Sequence, residues 1–237
     1  MPRSPTMFRI TASSAAHLPA FLQVFLLLSL SVCLPLSLSA SLPAHAAERI
    51  QPATMTEEDL VTYMPENAKI EVRLDEDVNG DGLRDLVFGA RSEEARVLKV
   101  MLAFANEFEL GFDPVGEMAM SDSPLGSAVL SVKKNVLIVE DLSGGTTAVQ
   151  SLYRFRYDPG EGRMRLIGDD VSLYSRTNAH DSTSVSTNRL TGARTTTESE
   201  IKGEEYVDKP PVRSKVSSKP VYMEEAPLPE ETLGLGE

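Results

Sequence analysis

Residues 70–90 read Ile70-Glu71-Val72-Arg73-Leu74, then Asp75-Glu76, then Asp77-Val78-Asn79-Gly80-Asp81-Gly82-Leu83-Arg84-Asp85, and finally Leu86-Val87-Phe88-Gly89-Ala90. The first run alternates apolar with charged residues, which is typical of a half-buried β-strand. The last run is short and continuously apolar, which favours a second and more deeply buried strand. The stretch therefore predicts two strands joined by the loop at residues 77–85.

This loop spaces oxygen ligands as a calcium loop does. Calcium takes six to eight oxygens at about 2.3 to 2.6 Å, and a short loop supplies them by presenting side chains at alternate positions. The alternate positions here hold Asp77, Asn79 and Asp81. Gly80 and Gly82 allow the tight curvature that turns these side chains inward. The backbone carbonyl of Leu83 and the carboxylate of Asp85 would complete the shell.

The loop departs from an EF-hand, because its twelfth position is Phe88 where a bidentate Glu is required, and because strands flank it in place of helices. It resembles the calcium loops of FG-GAP repeats in integrin alpha chains and of bacterial VCBS-like proteins. These have the form Asp-x-Asn/Asp-x-Asp-Gly-x-x-Asp before an apolar strand. The resemblance covers residues 72–91. It implies a Ca²⁺ site whose side-chain ligands are Asp77, Asn79, Asp81 and Asp85 and whose carbonyl ligand is Leu83.

Two further observations bear on this resemblance. Arg91 stands where the family often has Pro, and the chain has one copy of the loop where a propeller needs several blades, so a propeller is not expected. The alternative interpretation is a hairpin turn made of ordinary turn residues. Five acids within residues 75–85, with only Arg73 and Arg84 nearby, favour a cation because crowded carboxylates repel one another.

Further strands follow the loop at the spacing of an antiparallel sheet, separated by Gly, Pro, Asn and Asp. They are predicted at residues 96–104, 107–112, 128–132, 136–142, 151–157, 163–167, 182–187 and 193–198. Before the loop, Thr56 followed by three acids predicts the start of a short helix that Pro65 ends. The expected fold class is therefore mainly β, as a sandwich or strongly curved sheet with one short N-terminal helix.

Residues 1–46 are predicted to be a secretory signal peptide. Arg3 and Arg9 precede an apolar stretch at residues 21–38, and Ala44-His45-Ala46 supplies a small-x-small cleavage site. A retained transmembrane helix and a lipid on Cys33 are the alternatives, and either would anchor the protein to the envelope. Pro19, just before the apolar stretch, and Pro35 and repeated serines within it count against the helix. We expect a periplasmic or secreted protein without a stable membrane span in the mature chain.

Cleavage after Ala46 leaves a chain without cysteine and with His180 as its only histidine. Disulfides, thiol nucleophiles and metal sites with several imidazoles are then excluded. The formal charge changes from −12 to −14, because two arginines and no acids are removed. This charge argues against nucleic acid and anionic membranes as partners and favours divalent cations. The expected partner is an unidentified protein or envelope component.

The sequence predicts no catalytic site. His180, Asp181 and Ser182 include the residue types of a hydrolase triad, but neighbours on a strand point to opposite faces. A secreted hydrolase that uses two carboxylates is the alternative, although the absence of Trp disfavours a sugar-binding cleft. The predicted organisation is a signal peptide at 1–46, a β domain at 47–201, and an extended or disordered tail rich in Pro and Glu at 202–237. We expect a calcium-stabilised binding or structural module rather than an enzyme.

Overall fold

Two antiparallel β-sheets form the protein in its computed structural model, which describes residues 50–203 and 205–235. The first, sheet A, contains the strands β1 (Lys69–Glu76), β2 (Asp85–Arg91), β3 (Arg96–Ala105) and β4 (Leu110–Ala119). Each strand pairs with the next one in sequence, so the sheet is a simple meander. The loop at residues 77–85 connects its first two strands.

The second, sheet B, follows in the chain. Its strands are β5 (Val129–Val132), β6 (Leu137–Gly144), β7 (Thr147–Asp158), β8 (Arg163–Ser175), β9 (Ser182–Asn188), β10 (Ala193–Lys202), β11 (Glu205–Asp208) and β12 (Val212–Lys215). Strands β5 to β10 form another meander. Strands β11 and β12 share the outer edge of β10, β11 along its last residues and β12 along its first.

A core lies between the two sheets. Sheet A contributes Val87, Leu98 and Val100, and sheet B contributes Leu137 and Phe155, all of them fully buried in one apolar cluster. Each such side chain contributes about 1.5–3 kcal/mol when it is removed from water. The strand alternation explains the arrangement, since buried and more exposed residues alternate along β7. The predicted fold class, mainly β with antiparallel sheets and not a propeller, is confirmed.

The N-terminal helix covers the other face of sheet A. Helix α1 (Glu57–Leu60) is capped by Thr56, whose side chain accepts a hydrogen bond from the Asp59 backbone N–H, while the Asp59 carboxylate accepts one from the Thr56 N–H. A 3-10 turn, Val61–Tyr63, follows and ends before Pro65. Leu60 is fully buried against Phe88 and its neighbours. The predicted short helix and its cap are confirmed.

The C-terminal segment differs from the extended or disordered tail expected for residues 202–237. Within its described part, β11 and β12 pair with β10, and a 3-10 turn (Met223–Glu225) and helix α2 (Pro229–Leu233) follow. Met223 is fully buried and joins the core between the sheets. The Tyr153 hydroxyl donates to the Pro227 carbonyl at 2.8 Å. The segment has too few apolar residues to form a core of its own, which is why its composition suggested disorder. It is ordered because a few of them, such as Met223, pack on the core that the two sheets form.

The sequence-based expectations for the N-terminus lie outside the described residues, since the signal peptide and its cleavage site fall within residues 1–49. Among the described residues, no helix is long and apolar enough to cross a membrane.

Candidate metal centre

The loop at residues 77–85 turns sharply between β1 and β2. Its ends are tied by the antiparallel pairing of Glu76 with Asp85. Gly80 and Gly82 adopt φ angles of 87° and 86°, a region that side chains with a Cβ rarely occupy. These two glycines give the loop the curvature that the sequence argument required.

The first three predicted ligands fold back onto the loop backbone. The two carboxylate oxygens of Asp77 accept the N–H groups of Gly80 and Gly82, at 2.6 and 2.8 Å. The amide oxygen of Asn79 accepts the Asp81 N–H at 2.9 Å, and its Nδ2 donates to Asp81 Oδ2 at 2.9 Å. These bonds hold the three side chains against the loop itself and occupy their oxygens with N–H donors.

The fourth predicted side-chain ligand, Asp85, points into the protein. It is fully buried, and its oxygens accept the N–H groups of Val78 at 2.7 Å and of Ala103 at 2.9 Å. Burial raises its pKa to about 6; the two N–H donors oppose this rise, and the charges of Asp81 and Asp77 add to it. Asp85 therefore joins the loop to β3, which gives it a positioning role alongside the ligand role that the resemblance implies.

Apolar side chains anchor the loop from within. Val78 is fully buried in the core between the sheets, and Leu83 is 7% exposed. The Leu83 N–H donates to Asp81 Oδ1 at 2.7 Å, and this contact orients the residue whose carbonyl is the predicted fifth ligand. The donors are thus held by a loop that packing restrains at both ends.

Two further contacts were missed by the sequence analysis. The side chain of Gln51 donates to the Gly82 carbonyl at 3.0 Å and accepts the Arg84 N–H at 2.8 Å. Asn135, from the turn between β5 and β6, lies against Gly80 so closely that a Cβ there would be 2.1 Å from its Nδ2. Both residues are distant from the loop in sequence, and no local pattern marks them.

The charges around the loop are unevenly compensated. Arg73 binds both oxygens of Asp75 at 2.8 Å, and this ion pair lowers the pKa of Asp75. Within residues 50–203 and 205–235, neither Asp77 nor Asp85 forms an ion pair with a basic side chain. The repulsion among the acids noted in the sequence is therefore relieved at Asp75 and persists at Asp77 and Asp85.

The donor set fits calcium in its chemistry. It consists of carboxylate, amide and carbonyl oxygens, which a hard cation prefers. The side chains do not converge on one point by themselves: the described residues contain no group of three or more His, Cys, Asp or Glu side chains placed to hold a metal ion. Two predicted ligands, the Asn79 amide and the Leu83 carbonyl, are not His, Cys, Asp or Glu side chains and so do not count towards such a group. Binding would require Asp77 and Asp81 to turn some oxygens from the loop N–H groups towards the ion.

The residues that resemble a hydrolase triad are not arranged as one. The His180 Nε2 lies 2.8 Å from the Thr147 hydroxyl, and its Nδ1 lies 2.7 Å from the Asp181 carbonyl oxygen. The Asp181 carboxylate accepts the backbone N–H of Ile201 at 3.0 Å. Both ring nitrogens of the histidine therefore have partners other than a serine hydroxyl or a carboxylate.

Comparisons with protein-family models, with curated proteins and with solved structures find no match to this chain. The resemblance to FG-GAP and VCBS-like loops accordingly rests on residues 72–91 alone.

Proposed function

We propose that the protein is an exported, calcium-stabilised β-sheet module that binds or supports another component of the bacterial envelope, in the periplasm or outside the cell. The proposal includes no catalysis. Export is inferred from the signal-like residues 1–46, and the acidic mature chain suits a calcium-containing exterior. The cofactor is Ca²⁺, held by Asp77, Asn79, Asp81, Asp85 and the carbonyl of Leu83.

The observation that carries the calcium proposal is the buried carboxylate of Asp85 beside two further acids. A buried carboxylate without a basic partner is costly, and the neighbouring charges of Asp77 and Asp81 increase that cost. A bound calcium ion would supply the missing positive charge. Asp85 would transmit the effect to the sheet, because its hydrogen bond to the Ala103 N–H connects the loop to β3.

The test is a thermal melt of the mature chain in excess calcium and in excess chelator. We expect calcium to raise the melting temperature by linkage, since it binds the folded loop and not the unfolded chain. Extracellular calcium modules typically have dissociation constants of about 10⁻⁴ to 10⁻³ M, so the titration must reach several millimolar. Asp77→Ala and Asp81→Ala should abolish the response.

Asp113→Ala is the matched control, because Asp113 is an exposed acid on β4, outside the loop. It removes the same charge and should keep the full calcium response. An identical melt with and without calcium would rule out the calcium site, and the loop would then be a turn held by its own hydrogen bonds. Mass spectrometry of the native N-terminus tests export separately: a chain starting at Ala47 or Glu48 supports it, and a retained or lipidated N-terminus supports an anchored protein.

A further inference from the structure

A cleft of about 700 Å³ lies away from the loop, where the start of β1, the turn between β2 and β3, and residues 121–127 meet. This volume is within the range of about 300–1,000 Å³ that is typical of small-molecule sites. Three basic residues, Lys69, Arg91 and Arg96, line the cleft. They are notable in a protein whose overall charge is strongly negative.

The three bases form a row across sheet A. Lys69 on β1 is directly opposite Arg91 on β2, and Arg91 is directly opposite Arg96 on β3. Directly opposed residues have Cβ atoms about 4.5–5.5 Å apart, and like charges in such pairs destabilise a sheet. A row of this kind needs negative charge from elsewhere.

Arg96 obtains that charge from within the protein. Its guanidinium, 1% exposed, binds both oxygens of Asp141 at 2.7 and 2.9 Å and Glu71 Oε1 at 2.7 Å. It also donates to the Ser121 carbonyl at 3.2 Å. These contacts use its donors, so Arg96 forms part of the wall and has none left for a ligand.

Lys69 and Arg91 have no such compensation. Both are exposed, and within the described part of the chain neither forms an ion pair with an acidic side chain. Arg91 has one long hydrogen bond, from Nη2 to the Asp122 carbonyl at 3.4 Å. Three acids, Glu71, Glu93 and Asp122, also line the cleft. Glu71 is paired with Arg96, and the other two would repel a long polyanion while leaving room for a small one.

We propose that Lys69 and Arg91 bind one oxyanion, a carboxylate, sulfate or phosphate group, of a small polar solute in this cleft. The oxyanion lies between the two opposed side chains and removes their repulsion. Arginine offers a planar pair of donors to such a group, and lysine adds a point charge beside it.

The experiment is an NMR titration of the mature chain with sulfate and, separately, with acetate, at constant ionic strength and in buffer from which calcium has been removed by a chelating resin. The signals followed are the Arg91 Nε–H and the backbone amides of residues 69 and 91–93. We expect saturable shifts for at least one anion. The anion that binds more tightly distinguishes a phosphate-like from a carboxylate ligand.

Lys69→Gln and Arg91→Gln should each weaken binding by about tenfold or more, the equivalent of one charge-assisted contact. Arg91→Lys should retain only part of the affinity, because it keeps the charge and loses the planar pair of donors. Lys219→Gln, at an exposed lysine outside the cleft, should retain all of it. Without added anion, the two glutamine variants should melt no lower than wild type, because they remove repulsion. Shifts that do not saturate, or that are equal in wild type and both glutamine variants, would overturn the site. Because the buffer contains no calcium, this result is independent of the calcium test.

Discussion

The ion-pair cluster around Arg96 allows a quantitative prediction about stability. Arg96 lies on β3 of sheet A, and Asp141 lies on β6 of sheet B, so their two hydrogen bonds connect the sheets. The side chains are 1% and 7% exposed. Burial alone would lower the pKa of Arg96, but its hydrogen bonds to Asp141 and Glu71 outweigh burial and raise that pKa. The perturbation to make is Asp141→Ala.

The magnitude follows from the contacts that are lost. The substitution leaves two buried guanidinium N–H groups without acceptors, at about 1–3 kcal/mol each. Removing one partner of a buried ion pair costs about 3–5 kcal/mol in other proteins. Glu71 stays in place and holds part of the charge, so we expect a loss of about 4 kcal/mol in the free energy of unfolding. For a chain of this size, that is a fall of about 8–16 °C in melting temperature.

The assay is urea unfolding of the purified protein, with Asp170→Ala as the matched control. Asp170 also binds an arginine, Arg154, at 2.7 Å and also lies on sheet B, but both side chains are 37% exposed. A surface pair of this kind contributes about 0–1 kcal/mol. The reasoning is refuted if Asp141→Ala lowers the free energy of unfolding by no more than Asp170→Ala does, while the slope of that free energy with urea concentration stays unchanged.

Three further predictions concern other parts of the fold. Gly80→Ala should lower the free energy of unfolding by about 1–3 kcal/mol, because a Cβ would overlap a neighbouring amide at a positive φ, whereas Gly145→Ala, with open space around it, should cost far less. Met223→Ala should cost about 2–5 kcal/mol in the same assay, because Met223 is fully buried, while Leu235→Ala, at an exposed side chain, should be nearly neutral. In chelator, the raised pKa of Asp85 means that its contribution to the free energy of unfolding is fully present below about pH 4 and is lost as the pH rises through about 6. The difference in free energy of unfolding between wild type and Asp85→Asn, measured from pH 4 to 8, should therefore fall over this range.

Local patterns were sufficient for most of the sheet. The strands predicted at residues 151–157 and 163–167 form in the structure as β7 and β8, which pair as a hairpin. The end of β8 was missed, because Gly168-Asp169-Asp170 has the composition of a turn. The strand continues because Asp169 pairs with Arg189 and Asp170 with Arg154, and only the folded sheet brings these arginines close.

Strand β4 was predicted too early in the chain, at residues 107–112. The structure places residues 106–109 in the turn, where the Asn106 side chain accepts the N–H groups of Phe108 and Glu109. The strand runs on through Pro114 to Ala119. Proline disfavours a central strand but is tolerated at a sheet edge, and β4 is an edge of sheet A. Whether a strand lies at an edge depends on the order of the sheet, which a local pattern does not contain.

In the candidate metal centre, too, local sequence explains some contacts and the folded sheets explain the others. Asp77, Asn79 and Asp81 bond to groups within the loop, so their arrangement is encoded by residues a few positions apart. Gln51, Asn135 and the Ala103 N–H reach the loop from three other parts of the chain. The sequence could therefore predict the donors of the loop but not the supports around them.

Those supports decide what the loop would do if it binds calcium. A loop whose donors bonded only to one another would tighten on binding and leave the sheets unchanged. Here Asp85 connects the loop to β3, Val78 connects it to the core between the sheets, and Asn135 connects it to the turn between β5 and β6. Stabilising the loop would therefore also stabilise both sheets. For that reason we expect the calcium response to appear as a cooperative shift of the whole unfolding transition rather than as a local change at residues 77–85.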